Sequence, residues 1–280
     1  MPARRVAVLG SPIAHSLSPV LHRAAYQELG LGWSYDAIEC DEPRLPALLD
    51  ELDETYVGLS LTMPLKRAVV PLLDDVSPLA SSVGAVNTVL FDGVGPFRRR
   101  RGDNTDVAGI VGALNHTHPG AVTTAVILGA GGTAAAAVAA VRQLGLDQVA
   151  VVVRDPARAA DLIAAGERIG VRLDIVGWPG LDRLRAADLV VSTVPAGATD
   201  ELAAGSEAPF RIGQLVFDVV YHPWPTPLAR LAQSCGARVV GGLEMLVQQA
   251  ARQVELMTGK VAPVEAMRRA AHAAVASRTP

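Results

Sequence analysis

Short apolar runs recur along the chain, each cut off by glycine, proline or a hydroxyl residue and followed by a helix-like stretch. Residues 6–9 predict a first strand, ending at Gly10-Ser11-Pro12. Ser18-Pro19 then looks like a helix start, with serine as N-cap and proline at the first helical position, and the helix runs to about residue 29 before Gly30. Strands follow at 35–39 and 57–61 and a helix at 45–52; Thr62-Met63-Pro64 cuts the third strand and opens a short helix. Residues 77–83 read as helix and 85–91 as a strand that Gly93-Val94-Gly95-Pro96 turns back through an arginine run, as in a hairpin. Asp106 opens a helix over 107–114, and a polar segment, 115–120, leads on.

The run 125–128 is continuous and rich in β-branched residues, as a parallel strand buried on both faces requires. The turn Gly129-Ala130-Gly131-Gly132-Thr133-Ala134 follows it, then small helix formers to residue 144. Strand, glycine turn and helix in that order form the context of a dinucleotide fingerprint. Gly129 would permit the tight turn, Gly131 the approach of a pyrophosphate, and Ala134 close packing of helix on strand. Strands at 149–153, 172–176, 188–193, 215–220 and 239–240 alternate with helices at 156–167, 181–186 and 226–234. The pattern predicts an α/β protein whose second domain is a doubly wound parallel sheet of about six strands. Helices at 243–257 and 263–275 have no strand left to serve and are expected to pack back on the first domain. The expected boundaries are 1–106, 107–242 and 243–280.

Composition narrows this picture only slightly. Half the residues are hydrophobic and 4% aromatic, which suits close helix-on-sheet packing, and the net charge of −3 gives no basic field for nucleic acid or an anionic membrane. The run Arg98 to Arg101 reads as a solvated hairpin, and Cys40 and Cys235 as two ordinary thiols in a reducing cytosol. No apolar run reaches membrane-spanning length. His116 and His118 sit in a linker without a partner at ligand spacing, so no metal is expected.

Candidate chemistry gathers at the ends of predicted strands. In the second domain the strand ends Val153-Arg154-Asp155 with Arg158 one turn on; two guanidiniums there would clamp the ribose phosphate of NADP, whereas Asp155 would accept the hydroxyls of NAD. In the first domain Ser16 and Ser18, Thr62 with Lys66, and Asp103 to Asp106 each also have a plain reading as helix caps or solvated groups.

Taken together these segments resemble the shikimate dehydrogenases over nearly the whole length. The resemblance rests on Ser16-Leu17-Ser18-Pro19, Thr62-Met63-Pro64-Leu65-Lys66, Gly84-Ala85-Val86-Asn87-Thr88 and Gly102-Asp103-Asn104-Thr105-Asp106. It continues in the glycine turn, Tyr221 followed by Thr226-Pro227-Leu228, and the segment from Gly242-Leu243-Glu244-Met245 to Gln249. It implies an N-terminal substrate-binding and catalytic domain, a Rossmann domain for NADP, and reversible reduction of 3-dehydroshikimate to shikimate in aromatic amino-acid biosynthesis. It implies that Ser16 and Ser18 bind the substrate carboxylate, that Thr62, Asn87 and Gln249 hold ring hydroxyls, that Tyr221 lies by the substrate, and that Lys66 and Asp106 are the catalytic pair. Family members are monomers or homodimers. The cofactor loop departs from the Asn-Arg-Thr of many NADP-dependent members. The rival readings are a quinate/shikimate or aminoshikimate dehydrogenase and a non-catalytic ligand sensor; the presence of both Lys66 and Asp106 speaks against the sensor.

Overall fold

Two six-stranded sheets share out the apolar runs, and the chain divides into two compact units in the computed structural model, Met1–Thr105 with Leu246–Pro280 and Asp106–Met245. The structure describes residues 4–117, 121–178, 181–204 and 209–278.

The first unit contains β1 (Arg5–Gly10), α1 (Ser18–Glu28), β2 (Ser34–Glu39), α2 (Leu45–Glu51), β3 (Tyr56–Leu61), α3 (Leu65–Ala68), β4 (Asp75–Val76), α4 (Pro78–Val83), β5 (Thr88–Asp92) and β6 (Arg99–Asp103). Its sheet order is β2-β1-β3-β5-β6-β4; β1 runs parallel to β2 and β3, whereas β5 is antiparallel to both β3 and β6. Leu9, Leu59, Leu61 and Val89 from the sheet pack with Leu45 and Leu49 of α2 and Leu65 of α3. Each such side chain contributes roughly 1.5–3 kcal/mol when fully buried.

The second unit begins with α5 (Asp106–Thr117) and continues through β7 (Ala125–Leu128), α6 (Gly132–Gln143), β8 (Gln148–Val153), α7 (Ala160–Ile169), β9 (Arg172–Gly177), α8 (Leu181–Ala186), β10 (Leu189–Ser192), α9 (Asp200–Ala204), β11 (Leu215–Asp218), α10 (Pro227–Ser234) and β12 (Arg238–Gly241). All six strands are parallel, in the order β12-β11-β10-β7-β8-β9. Residues 134–141 of α6 are all buried, because α6 packs against α5, α7 and β7 at once. Only alanine and valine occupy these positions, which is what lets three neighbours approach one helix. His116 lies in the last turn of α5, not in a linker, and His118 falls outside the described residues.

The last helices are α11 (Gly242–Thr258) and α12 (Val264–Ala276). From Leu246 onward the chain belongs to the first unit, where α12 packs on α1 and the Arg278 guanidinium donates to the carbonyl of His15 at 2.8 Å.

Two further expectations change. Ser18 is the first residue of α1 and caps nothing; Leu17 holds the cap position, and the Oγ of Ser16 accepts the Ser18 N–H at 3.2 Å. The arginine run is only partly solvated. Arg98 lies over the Phe91 ring and donates to the carbonyls of Leu52 (2.7 Å) and Tyr56 (2.8 Å), while Arg100 pairs with Asp50 and Arg101 with Asp92.

His22 of α1 is fully buried, its ring centroid 4.1 Å from that of Tyr35 and tilted 42° to it, with no hydrogen-bond partner for either ring nitrogen. Burial pushes its pKa down to about 3. Below pH 6.5 the unfolded chain therefore takes up a proton that the folded one refuses, and stability falls with pH until about 3. Between pH 7 and pH 5 this histidine should cost about 2 kcal/mol of unfolding free energy. Urea unfolding at the two pH values checks it: His22→Leu should remove that part of the slope, and an unchanged slope would refute the assignment.

Candidate active site

The antiparallel course of β5 determines where the polar residues of the first unit meet. Register pairs Ser60, near the end of β3, with Thr88 at the start of β5, and Thr88 with Asp103 at the end of β6. The end of β3, the start of β5 and the end of β6 therefore share one sheet edge. Backbone hydrogen bonds tie the segments together there. Leu61 N–H donates to the Asn87 carbonyl (2.7 Å), Asn87 N–H to Asp103 (3.1 Å), and Val86 N–H to Lys66 (2.8 Å).

Asn87 is the centre of this junction and is 2% exposed. Its Oδ1 accepts the Thr105 N–H and the Thr88 hydroxyl, both at 2.8 Å, and its Nδ2 donates to Thr105 Oγ1 at 3.0 Å. Asn104 is held in turn by its Nδ2 on the Ala85 carbonyl at 2.8 Å. Asp106, 4% exposed, opens α5 directly beyond this fixed pair of residues. Lys66, half-buried on α3, has its own carbonyl in the same junction.

Thr62 and the serines approach from the ends of β1 and β3. Thr62 N–H donates to the Leu9 carbonyl (2.9 Å) and Ser11 N–H to that of Met63 (3.0 Å). Gly10 makes this crossing possible, since a Cβ there would stand 2.3 Å from Thr62 Cγ2. Glu39, at the end of β2, accepts from the Ser11 hydroxyl (2.6 Å) and the Ile13 N–H (3.0 Å), and so anchors the loop that carries Ser16. Ser16 is half-buried and Ser18 is 6% exposed. On α11, Gln249 is 7% exposed and donates to the Leu246 carbonyl at 2.9 Å. Its neighbour one turn on, Gln253, is bound to the Asn87 carbonyl at 3.2 Å, which sets Gln249 one helical turn from the junction.

The second unit carries the remaining candidates. A cavity of about 240 Å³ is lined by Gly129, Ala130, Gly131, Arg154, Asp155 and Arg158, with Trp178, Val194 and Ala198 closing it. Gly129 has φ +103°, and a Cβ there would meet the Thr193 hydroxyl at 2.8 Å; Thr193 is pinned by its own bond to the Leu128 carbonyl at 2.7 Å. Around Gly131, the residue before α6, a Cβ would meet nothing within 4 Å, so the helix start is open to a ligand. Gly132, Thr133 and Ala134 supply its first amides. Asp155 turns its Oδ1 to the Ala157 N–H at 3.0 Å and caps the turn that follows. Arg154 and Arg158 make no ion pair among the described residues. Two uncommitted guanidiniums and a committed aspartate fit a dinucleotide bearing a ribose phosphate.

Tyr221 lies half-buried in the same unit, on the loop after β11. That loop is organised by Asp218, which sequence reasoning missed. Asp218 is 2% exposed and accepts from the Thr226 hydroxyl (2.7 Å) and the Val220 N–H (3.2 Å). Burial raises its pKa, and the bonds from Thr226 and Val220 oppose the rise. Glu39, Gln253, Trp178 and Thr193 also gave no motif. Gln253 alone left a trace, as a polar residue among the buried Val247, Ala250, Ala251 and Val254 at helical spacing.

Residues 8–89 match the family model described as the shikimate dehydrogenase substrate binding domain, and residues 242–272 the shikimate 5'-dehydrogenase C-terminal domain. A shikimate dehydrogenase (NADP(+)) of Synechococcus sp. (strain JA-3-3Ab) is 38% identical over 275 residues, covering 94% of this chain and 91% of that one. The crystal structure of Mycobacterium tuberculosis shikimate dehydrogenase superposes with a TM-score of 0.87 at 43% identity, covering 96% of this chain and 99% of the other. The Thermus thermophilus enzyme in complex with NADP(H) and shikimate gives 0.85 at 39% identity, covering 97% and 99%.

Proposed function

The chain belongs to the shikimate dehydrogenase family, and from that premise we propose a role for each residue of the site. It is an NADP-dependent oxidoreductase acting on a CH–OH group, and it interconverts 3-dehydroshikimate and shikimate in aromatic amino-acid biosynthesis. The observation that carries the residue assignments is the junction at Asn87, which ties Lys66 and the approach to Asp106 to one sheet edge. NADP, held by the glycine turn at 129–134 with Arg154 and Arg158 on its ribose phosphate, supplies two-electron exchange at the alcohol carbon.

Lys66 stabilises the negative charge that grows on the carbonyl oxygen during reduction and gives that oxygen a proton; in the oxidation of shikimate it takes the proton back. Asp106 directs the ammonium at that oxygen. Ser16 and Ser18 receive the carboxylate, while Thr62, Asn87 and Gln249 bind ring hydroxyls and Tyr221 lies by the substrate. Neutral hydroxyls and amides suit a small polyhydroxy acid, because each supplies a directed bond without a buried charge to neutralise. The enzyme works in the cytoplasm as a monomer or homodimer; among the described residues no helix is long and apolar enough to cross a membrane.

Absorbance of the reduced nicotinamide, with shikimate and quinate each offered both cofactors, tests this reading. Turnover of shikimate with NADP supports it; preference for quinate with NAD would transfer the chain to the rival substrate, and no turnover at all would leave a sensor. Ser16→Ala should raise KM for shikimate and, because its oxygen holds the Ser18 N–H, also lower stability by about 0.5–1 kcal/mol. Ser18→Ala should raise KM without a capping cost. Steady-state kinetics beside thermal unfolding separate the two, and an unchanged KM in both variants would displace the carboxylate from this loop.

A further inference from the structure

Behind Asn87 the buried polar groups are joined end to end through a single side chain, Gln253, which is 1% exposed. Its Nε2 donates to the Asn87 carbonyl (3.2 Å) and to Thr88 Oγ1 (2.9 Å), and its Oε1 accepts the Ser60 hydroxyl (2.8 Å). A backbone carbonyl can only accept, so Asn87 dictates which end of the Gln253 amide faces it, and every other polarity follows. Ser60 gives its hydrogen to Gln253 and receives one from the Tyr35 hydroxyl at 2.7 Å. Thr88, whose oxygen faces the Nε2 donor, turns its hydrogen to Asn87 Oδ1. That oxygen already accepts the Thr105 N–H, so both its lone pairs are engaged. The Asn87 side chain then meets any further group only as a donor.

We propose that Gln253 is a positioning residue for the substrate: acting through Thr88, it fixes the Asn87 amide in place and restricts it to donating, so that Asn87 recognises a substrate oxygen by its lone pair. This rests on the reading of Asn87 as a substrate contact. Without the Thr88 hydroxyl, Oδ1 would keep only the Thr105 N–H and the longer 3.3 Å contact with Thr105 Oγ1, and could accept from a ring hydroxyl, so that the discrimination of sense would be lost. Gln253 itself touches Ser60, Thr88 and backbone only; Ser60 leads on through the Tyr35 hydroxyl to Ser18, and Thr88→Val, which leaves that branch intact, isolates the path through Asn87.

The decisive variants are Gln253→Leu and Thr88→Val, both close in shape to the residues they replace, with Thr88→Ser as the conservative control that restores the hydroxyl. KM for shikimate should rise about 5- to 15-fold in Gln253→Leu and in Thr88→Val, the loss expected from one ordinary hydrogen bond. KM for NADP should stay put, Thr88→Ser should behave like the parent, and the double variant should be little worse than either single one, because both changes break one chain of bonds. A structural role alone would lower the urea midpoint and leave KM for shikimate unchanged, and that result overturns the proposal. If Gln253→Leu does not fold, Thr88→Val against Thr88→Ser decides in the same way. Asn87→Ala keeps the two readings apart: a raised KM there with an unchanged KM in Thr88→Val rejects the relay alone, whereas an unchanged KM in both rejects Asn87 as a substrate contact as well.

Discussion

Lys66→Ala should lower kcat for shikimate with NADP by about 10²- to 10⁴-fold, the range for a positioned acid–base group, and change KM little. The ammonium acts on charge that exists only as the reaction proceeds, so its removal costs the transition state more than the bound substrate. Asp106→Asn keeps the size and some of the hydrogen bonding but removes the negative charge, and should be slow for the same reason. On the proposal that the two act as a unit, the double variant should be scarcely slower than either single one. Steady-state kinetics of the three proteins, with thermal unfolding as a folding control, give the answer. A Lys66→Ala enzyme that keeps most of its turnover number would remove Lys66 from the chemistry.

Arg154→Ala should weaken NADP(H) by about 10- to 100-fold, one charge-assisted contact, while NAD(H), which lacks the phosphate, changes little. The structure sharpens this expectation in two ways. Asp155 is occupied by the Ala157 N–H, so it already has a structural use for one oxygen. Arg154 and Arg158 are exposed and have no ion-pair partner among the described residues, so their loss should leave the melting temperature unchanged. Cofactor titration by nicotinamide absorbance or fluorescence measures both affinities. Equal losses for the two cofactors would mean that Arg154 does not read the phosphate.

The parallel strands of the second unit were legible because both their faces are buried: the runs at 125–128 and 149–153 are continuous, and a glycine turn sits where the first of them ends. The hairpin of β5 and β6 was legible from its glycines and proline. Other features were hidden for identifiable reasons. Ala85 and Val86 read as strand because they are apolar, yet they are buried in the loop before β5, where Val86 N–H is committed to Lys66. An apolar run reports burial and does not by itself report extended pairing. Ser16-Leu17-Ser18-Pro19 holds two hydroxyls one residue apart; taking Pro19 as the first helical residue makes Ser18 the cap, but Pro19 is the second, and the oxygen that serves the backbone is that of Ser16. Strand β4, two residues long, is below what any periodicity can register. Ser60, Tyr35 and Gln253 lie in elements whose apolar pattern predicts only core, and their partners are far along the chain: Ser60 and Gln253 are separated by 193 positions.

That last separation bears on how the protein is made. The substrate unit consists of Met1–Thr105 and Leu246–Pro280, with the whole dinucleotide unit encoded between them. A chain leaving the ribosome thus contains every strand of the parallel sheet before Gln253 has been translated. Translation proceeds at about 5–20 residues per second, so the early strands of the dinucleotide unit can begin to pack while synthesis continues. The substrate unit must wait. Until α11 and α12 emerge, Ser60, Thr88 and the Asn87 carbonyl lack Gln253, and α1 lacks the helix that covers it. The residues that line the cofactor cavity, 129–198, are thus all made before Gln253, whereas the polar chain behind Asn87 can be closed only after the final stretch has been translated.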